Sequence, residues 1–201
     1  GKDIVEDTTY VTYYYRKLIF NLNIDKKVSS VTVNGEESII NGDLGKVEVH
    51  RKEMSTAKVE VKYIIKVTND SELTGKASIL EDIPTGMIMN AEKNAGWEVK
   101  GTTATRETKE LQPGESEEYL VDLDWENGEN NIGMKENTAS IILTENEAGF
   151  EEKDTKDNTA YADIVIAIST GANSYMNIAG GILLVMIALA CGVYVVKKVE
   201  D

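Results

Sequence analysis

One cysteine, one histidine and two prolines occur among the 201 residues, and each scarcity removes a class of chemistry. The cysteine, Cys191, lies in an apolar tail, so the rest of the chain has no disulfide and no thiolate metal site. His50 sits in VEVHRKE, a strand end with no partner in sequence, which disfavours imidazole catalysis. Positive charge is also short: 21 Lys and Arg against 35 Asp and Glu leave a formal charge of −14. That surface repels a polyanion, and no basic cluster interleaved with aromatics offsets it, so a nucleic-acid partner is excluded. No nucleophile, base and orienting group assemble from recognisable motifs. The chain is therefore not expected to be an enzyme on an external substrate, and no cofactor is expected.

What is present begins with the tail. Ile178 to Val196, IAGGILLVMIALACGVYVV, carries no charge and is followed by Lys197 and Lys198. At about 1.5 Å per residue it spans roughly 28 Å, close to the hydrocarbon thickness of a bilayer. The two lysines favour the cytoplasmic side, so the expected arrangement is a single-pass membrane anchor, partnered by lipid, with everything before Asn177 outside the cell. The opening GKDIVEDTTY has no apolar export signal, so the chain reads as the C-terminal part of a longer exported protein. Cys191 reads as a small lipid-facing residue in preference to an acylation site, and Ala188 with Gly192 forms a small-xxx-small pair. The expected divisions are 1–17, a linker or the end of an upstream module; 18–171, the ectodomain; 172–177, a short linker; 178–196, the membrane helix; and 197–201, the cytoplasmic tail.

Period-two alternation dominates the ectodomain. FNLNIDKKV places Phe20, Leu22, Ile24, Lys26 and Val28 on one face, which turns Lys26 toward the core. VTVNGEE and GKVEVH read as short strands around an Asn34-Gly35 hairpin turn. KVEVKYIIKVTND puts Val59, Val61, Tyr63, Ile65 and Val67 inside, and KASILEDIPTG does the same for Ile79, Glu81 and Ile83. Trp97 and Val99 mark another strand. Pro113-Gly114 is expected to form a type II turn feeding a strand with Tyr119, Val121, Leu123 and Trp125 inside. Asn137, Ala139, Ile141 and Leu143 share a face, and Ala162 to Ser169 supplies a last strand. The expectation is an all-β fold, an antiparallel immunoglobulin-like or prealbumin-like sandwich, followed by one transmembrane helix.

The series FNLNIDK, KYIIKVTN, EDIPTG, LQPGES and ENTASI, taken in order over about residues 18–171, resembles the bacterial surface repeats called domain of unknown function 11 and related pilin and adhesin modules. The resemblance implies a Gram-positive, clostridial-type surface protein forming stalks or adhesive arrays, with cell-wall or host ligands. The tail is similar to a cell-wall sorting signal, but AISTG has Ala167 and Ile168 where the leucine and proline of that signal belong. A permanent anchor is expected, with cell-wall attachment after sortase processing as the alternative.

Several related modules join a first-strand lysine to a late-strand asparagine by an intramolecular isopeptide bond, assisted by an acid. The resemblance assigns these roles to Lys26, Asn137 and Glu81, and alternation independently turns all three inward. Burial lowers a lysine pKa and raises a glutamate pKa, which favours a nucleophilic amine beside a protonated acid. Lys27 and Asp82 are the alternatives if the register slips by one residue. Calcium is the remaining candidate ligand, because DLDWENGENN and EEKDTKDN are acid-rich. Asp122, Asp124 and Glu126 alternate correctly, but Gly128 and Gly133 fall at the wrong positions of a calcium loop, so no metal is expected. The expected function is a membrane-anchored structural stalk or adhesion module. A receptor ectodomain for glycan or matrix protein is the alternative, favoured if TTYVTYYY forms an exposed aromatic patch.

Overall fold

A computed structural model describes residues 11–169. The expected membrane helix, the two segments flanking it, Thr170, Gly171 and Cys191 lie outside the described residues, as does the opening 1–10. In chain order the strands are β1 (Leu22–Val33), β2 (Glu36–Gly42), β3 (Leu44–His50), β4 (Val59–Asn69), β5 (Gly75–Asp82), β6 (Met87–Met89) and β7 (Glu98–Lys100). They continue with β8 (Thr103–Glu107), β9 (Ser116–Trp125), β10 (Gly133–Lys135), β11 (Thr138–Asn146), β12 (Thr159–Tyr161) and β13 (Asp163–Ser169).

Two five-stranded antiparallel sheets, β2-β1-β4-β9-β6 and β12-β11-β5-β8-β7, turn their apolar faces into one core. Alternation produces this directly. Val59, Val61, Tyr63, Ile65 and Val67 of β4 are all buried and the residues between them are not, because successive side chains leave opposite faces of a pleated strand. The expected turns form. Asn34 and Gly35 both have positive φ, as a two-residue hairpin between twisted strands requires, and Gly114 takes the positive φ of a type II turn.

Three details depart from the expected pattern. The segments read as separate strands before Asn34 are one long strand, β1, whose register against β4 shifts between Val28 and Ser30. This bulge moves the inward set from even to odd residues, from Val28 to Val31, and hides the continuity of the strand from a strict period of two. A second bulge between Ile141 and Leu143 leaves Leu143 55% exposed, although Asn137, Ala139 and Ile141 face inward as expected. Finally, β13 pairs parallel to β3 in a third sheet, β10-β13-β3. A parallel pair needs a long connection, and most of the domain lies between these two strands.

Candidate functional site

Lys26 on β1 and Glu81 on β5 belong to different sheets and meet in the core. Lys26 Nζ donates to Glu81 Oε1 at 2.7 Å and to Oε2 at 2.6 Å, and neither side chain has any solvent exposure. A charge taken out of water is tolerated only with a partner this close. Burial dominates both titrations. It lowers the Lys26 pKa and raises that of Glu81, while the attraction between them works the other way. The net direction for both is toward the uncharged forms, amine and carboxylic acid, which lowers the cost of passing a proton from Lys26 to Glu81.

Asn137 stands immediately before β11 and is fully buried. Its backbone is pinned: the N–H donates to Asp163 Oδ1 at 3.1 Å, and the carbonyl accepts from the Ala162 N–H at 3.0 Å. Its side chain is not. The amide lies close enough to Glu81 and Tyr63 to oppose slightly the rise that burial gives each pKa, yet neither Oδ1 nor Nδ2 completes a hydrogen bond. Asn69 provides the comparison. Also fully buried, it donates to the Leu73 and Leu111 carbonyls and accepts from the Ser71 N–H and hydroxyl. A buried polar atom without a partner costs on the order of 1–3 kcal/mol, so two on one amide call for a functional explanation.

The structure thus brings Lys26, Glu81 and Asn137 to one place. The register alternatives do not share it, since Asp82 is exposed and Lys27 lies on the outer face of β1. Tyr63 and Asp163 were missed in the sequence. Tyr63 places its ring 5.2 Å from Lys26 Nζ, and its buried hydroxyl has no partner. A signal for it existed: a tyrosine in the middle of an otherwise aliphatic inward face must bring its hydroxyl into the core. Nothing in sequence linked Asp163 to Asn137. His50 accepts from the Lys52 N–H through Nδ1 at 3.2 Å, capping the single 3₁₀ turn that follows β3.

The acid-rich loop resolves differently from its sequence pattern. Asp122 and Asp124 project from β9 beside Glu60 of β4, and Glu126 is not part of the group. Lys93 reaches into this cluster, 2.5 Å from Glu60, 2.7 Å from Asp124 and 3.8 Å from Asp122. A protein cation therefore sits among the three acids and offsets part of their charge. The Asp122 carboxyl is pushed up to about 6, by burial first and by the Glu60 carboxylate second.

That shift has a testable sign. A carboxyl whose folded pKa exceeds its ordinary 3.8 contributes stability that is full below 3.8 and lost as pH rises through about 6. Asp122→Asn should therefore raise the melting temperature relative to wild type at about pH 8 and change it less at about pH 4. Thermal unfolding at both pH values checks this. An unchanged difference between the two proteins would place the titration elsewhere.

Comparison with solved structures finds proteins of similar fold. No family model matches the chain, and no curated protein sequence does either. The major pilin subunit BcpA of Bacillus cereus is similar over 73% of this chain and 40% of its own, at 14% identity and a TM-score of 0.47. A CARDB domain from Pyrococcus furiosus, solved with di-metal ions, matches 77% of this chain and 100% of its own, at 14% identity and a TM-score of 0.41. The collagen-binding domain of Erysipelothrix rhusiopathiae surface protein RspB matches 53% of this chain and 41% of its own, at 13% identity and a TM-score of 0.37. At these identities the functional reading rests on the chain's own residues.

Proposed function

We propose that the chain is a structural stalk or adhesion module of a bacterial cell surface, anchored in the membrane through residues 178–196, whose two main sheets are joined by an isopeptide bond between Lys26 and Asn137. The observation that carries the cross-link is the buried Lys26–Glu81 pair beside an asparagine amide with no hydrogen-bond partner. One proton passes from the Lys26 ammonium to Glu81, leaving a neutral amine. Nζ attacks Asn137 Cγ, and a C–N bond forms. Glu81 gives its proton to Nδ2 and takes one from Nζ, the Cγ–Nδ2 bond breaks, and ammonia leaves. The product removes a buried charge pair and an unsatisfied amide together, in a domain with no cysteine to supply a disulfide.

The test is the intact mass of the full chain in detergent, beside Lys26→Ala and Asn137→Ala. Wild type should lack the mass of one ammonia and both variants should not. A folded wild type at full mass would sink the cross-link.

A receptor for glycan or matrix protein is the second reading, favoured by the exposure of Val11, Tyr13, Tyr14 and Tyr15 and by a groove of about 770 Å³ along β11 with Phe150 on its wall. Saturable binding to a glycan or matrix-protein array, lost on changing Tyr13 to Tyr15 to serine, would select it.

A further inference from the structure

Three polar atoms in one part of the core have no partner: the Tyr63 hydroxyl and both side-chain atoms of Asn137. Tyr63 is fully buried on β4, where its aliphatic neighbours on the same face, Val61 and Ile65, need no polar contact. Phenylalanine would fill the same volume without stranding a hydroxyl, so packing alone gives no reason for the tyrosine. Its position is set by the sheet. Val28 pairs with Tyr63 and Lys26 with Ile65, which puts Lys26 and Tyr63 diagonally adjacent on neighbouring strands and holds Lys26 Nζ 5.2 Å from the ring centroid. The Asn137 amide is near enough to the same hydroxyl to act on its titration, although the two complete no hydrogen bond with each other.

Resting on the cross-linking reading above, we propose that the Tyr63 hydroxyl is the oxyanion donor of that reaction, giving its hydrogen bond to Asn137 Oδ1 as Lys26 attacks. When the new N–C bond forms, the carbonyl π electrons move onto Oδ1, which becomes the most negative atom in a site closed to water. A preplaced O–H stabilises that charge more than it stabilises the neutral amide, and this difference is what lowers a barrier. Collapse of the intermediate restores the carbonyl, expels Nδ2 as ammonia with the proton held by Glu81, and leaves Tyr63 unchanged. Burial raises the phenol pKa far above its ordinary value, so the hydroxyl keeps its proton and acts only as a donor. The division of labour is then clear: Glu81 moves protons between the two nitrogens, and Tyr63 stabilises the oxygen.

The test is the rate of cross-linking in the full 201-residue chain. Protein made by cell-free synthesis and quenched in denaturant is diluted into detergent buffer to fold, and intact mass is followed with time. Tyr63→Phe should lose ammonia about 10²-fold more slowly than wild type, the scale of removing one oxyanion donor. In the Asn137→Ala background, where no bond can form, Tyr63→Phe should hold or raise the urea midpoint, because it removes a buried hydroxyl with no partner. Equal rates in wild type and Tyr63→Phe would overturn this role while leaving the cross-link intact. A slower reaction accompanied by a lower urea midpoint in the Asn137→Ala background would make Tyr63 a packing residue and also overturn it. A wild-type chain that keeps its full mass overturns the cross-link reading and this role with it.

Discussion

Glu81→Ala is expected to return the chain to its full mass and to make the fold less stable than Asn137→Ala by about 3–5 kcal/mol, the scale of breaking a buried ion pair from one side. Both variants lack the cross-link, so the comparison between them isolates the charge. In Asn137→Ala the Lys26–Glu81 contacts of 2.7 and 2.6 Å remain available. In Glu81→Ala the ammonium of Lys26, which has no solvent exposure, keeps only the face of Tyr63 and the more distant charges of Asp82 and Asp163. It must either lose its proton or pull the strand open. The double variant Lys26→Met with Glu81→Leu removes both charges and should recover at least the stability of Asn137→Ala, since apolar residues replace buried pairs at no loss or at a gain of about 1–4 kcal/mol. Urea midpoints of the three proteins test this. Equal midpoints for Glu81→Ala and Asn137→Ala would mean that Lys26 reaches water in the absence of its partner.

The placement of Lys26 and Glu81 was legible because a pleated strand obeys one simple rule, and both residues lie in stretches without irregularity. Leu22, Ile24, Lys26 and Val28 precede the bulge in β1, and Ile79, Glu81 and Ile83 are read from a stretch with no bulge of its own, the irregularity at Ile141–Leu143 lying on the partner strand β11. The same rule failed at Leu143, one position past a bulge, because an extra residue inverts every side chain beyond it. The parallel pairing of β13 with β3 and the gathering of Glu60 and Lys93 about Asp122 and Asp124 were invisible for a different reason. They depend on which strands become neighbours, and local periodicity carries no information about that. The short strands β6, β10 and β12 have three residues each, too few for alternation to register. What no pattern could reveal is that Asn137 completes no side-chain hydrogen bond while Asn69 satisfies all of its own. Hydrogen-bond satisfaction is a property of packed neighbours, and it is the feature on which the proposed cross-link turns.

Asn137→Ala is expected to lower stability by about 4–5 kcal/mol relative to wild type, with the loss arising in the unfolded chain. A bond between Lys26 and Asn137 closes a loop of roughly a hundred residues, and the entropy removed from a denatured ensemble by such a loop is worth about 4.7 kcal/mol at room temperature. The variant folds to the same two sheets, because the side-chain atoms it deletes make no hydrogen bond. The difference should therefore appear in the urea midpoint and in a steeper dependence on denaturant, since a chain without the loop exposes more surface when it unfolds. Proteolysis provides the independent check. Cleavage between residues 26 and 137 leaves wild-type fragments covalently joined under denaturing electrophoresis, whereas fragments of the variant separate. Wild-type fragments that separate in the same way would remove the bond from the molecule and leave Lys26 and Glu81 as a buried ion pair alone.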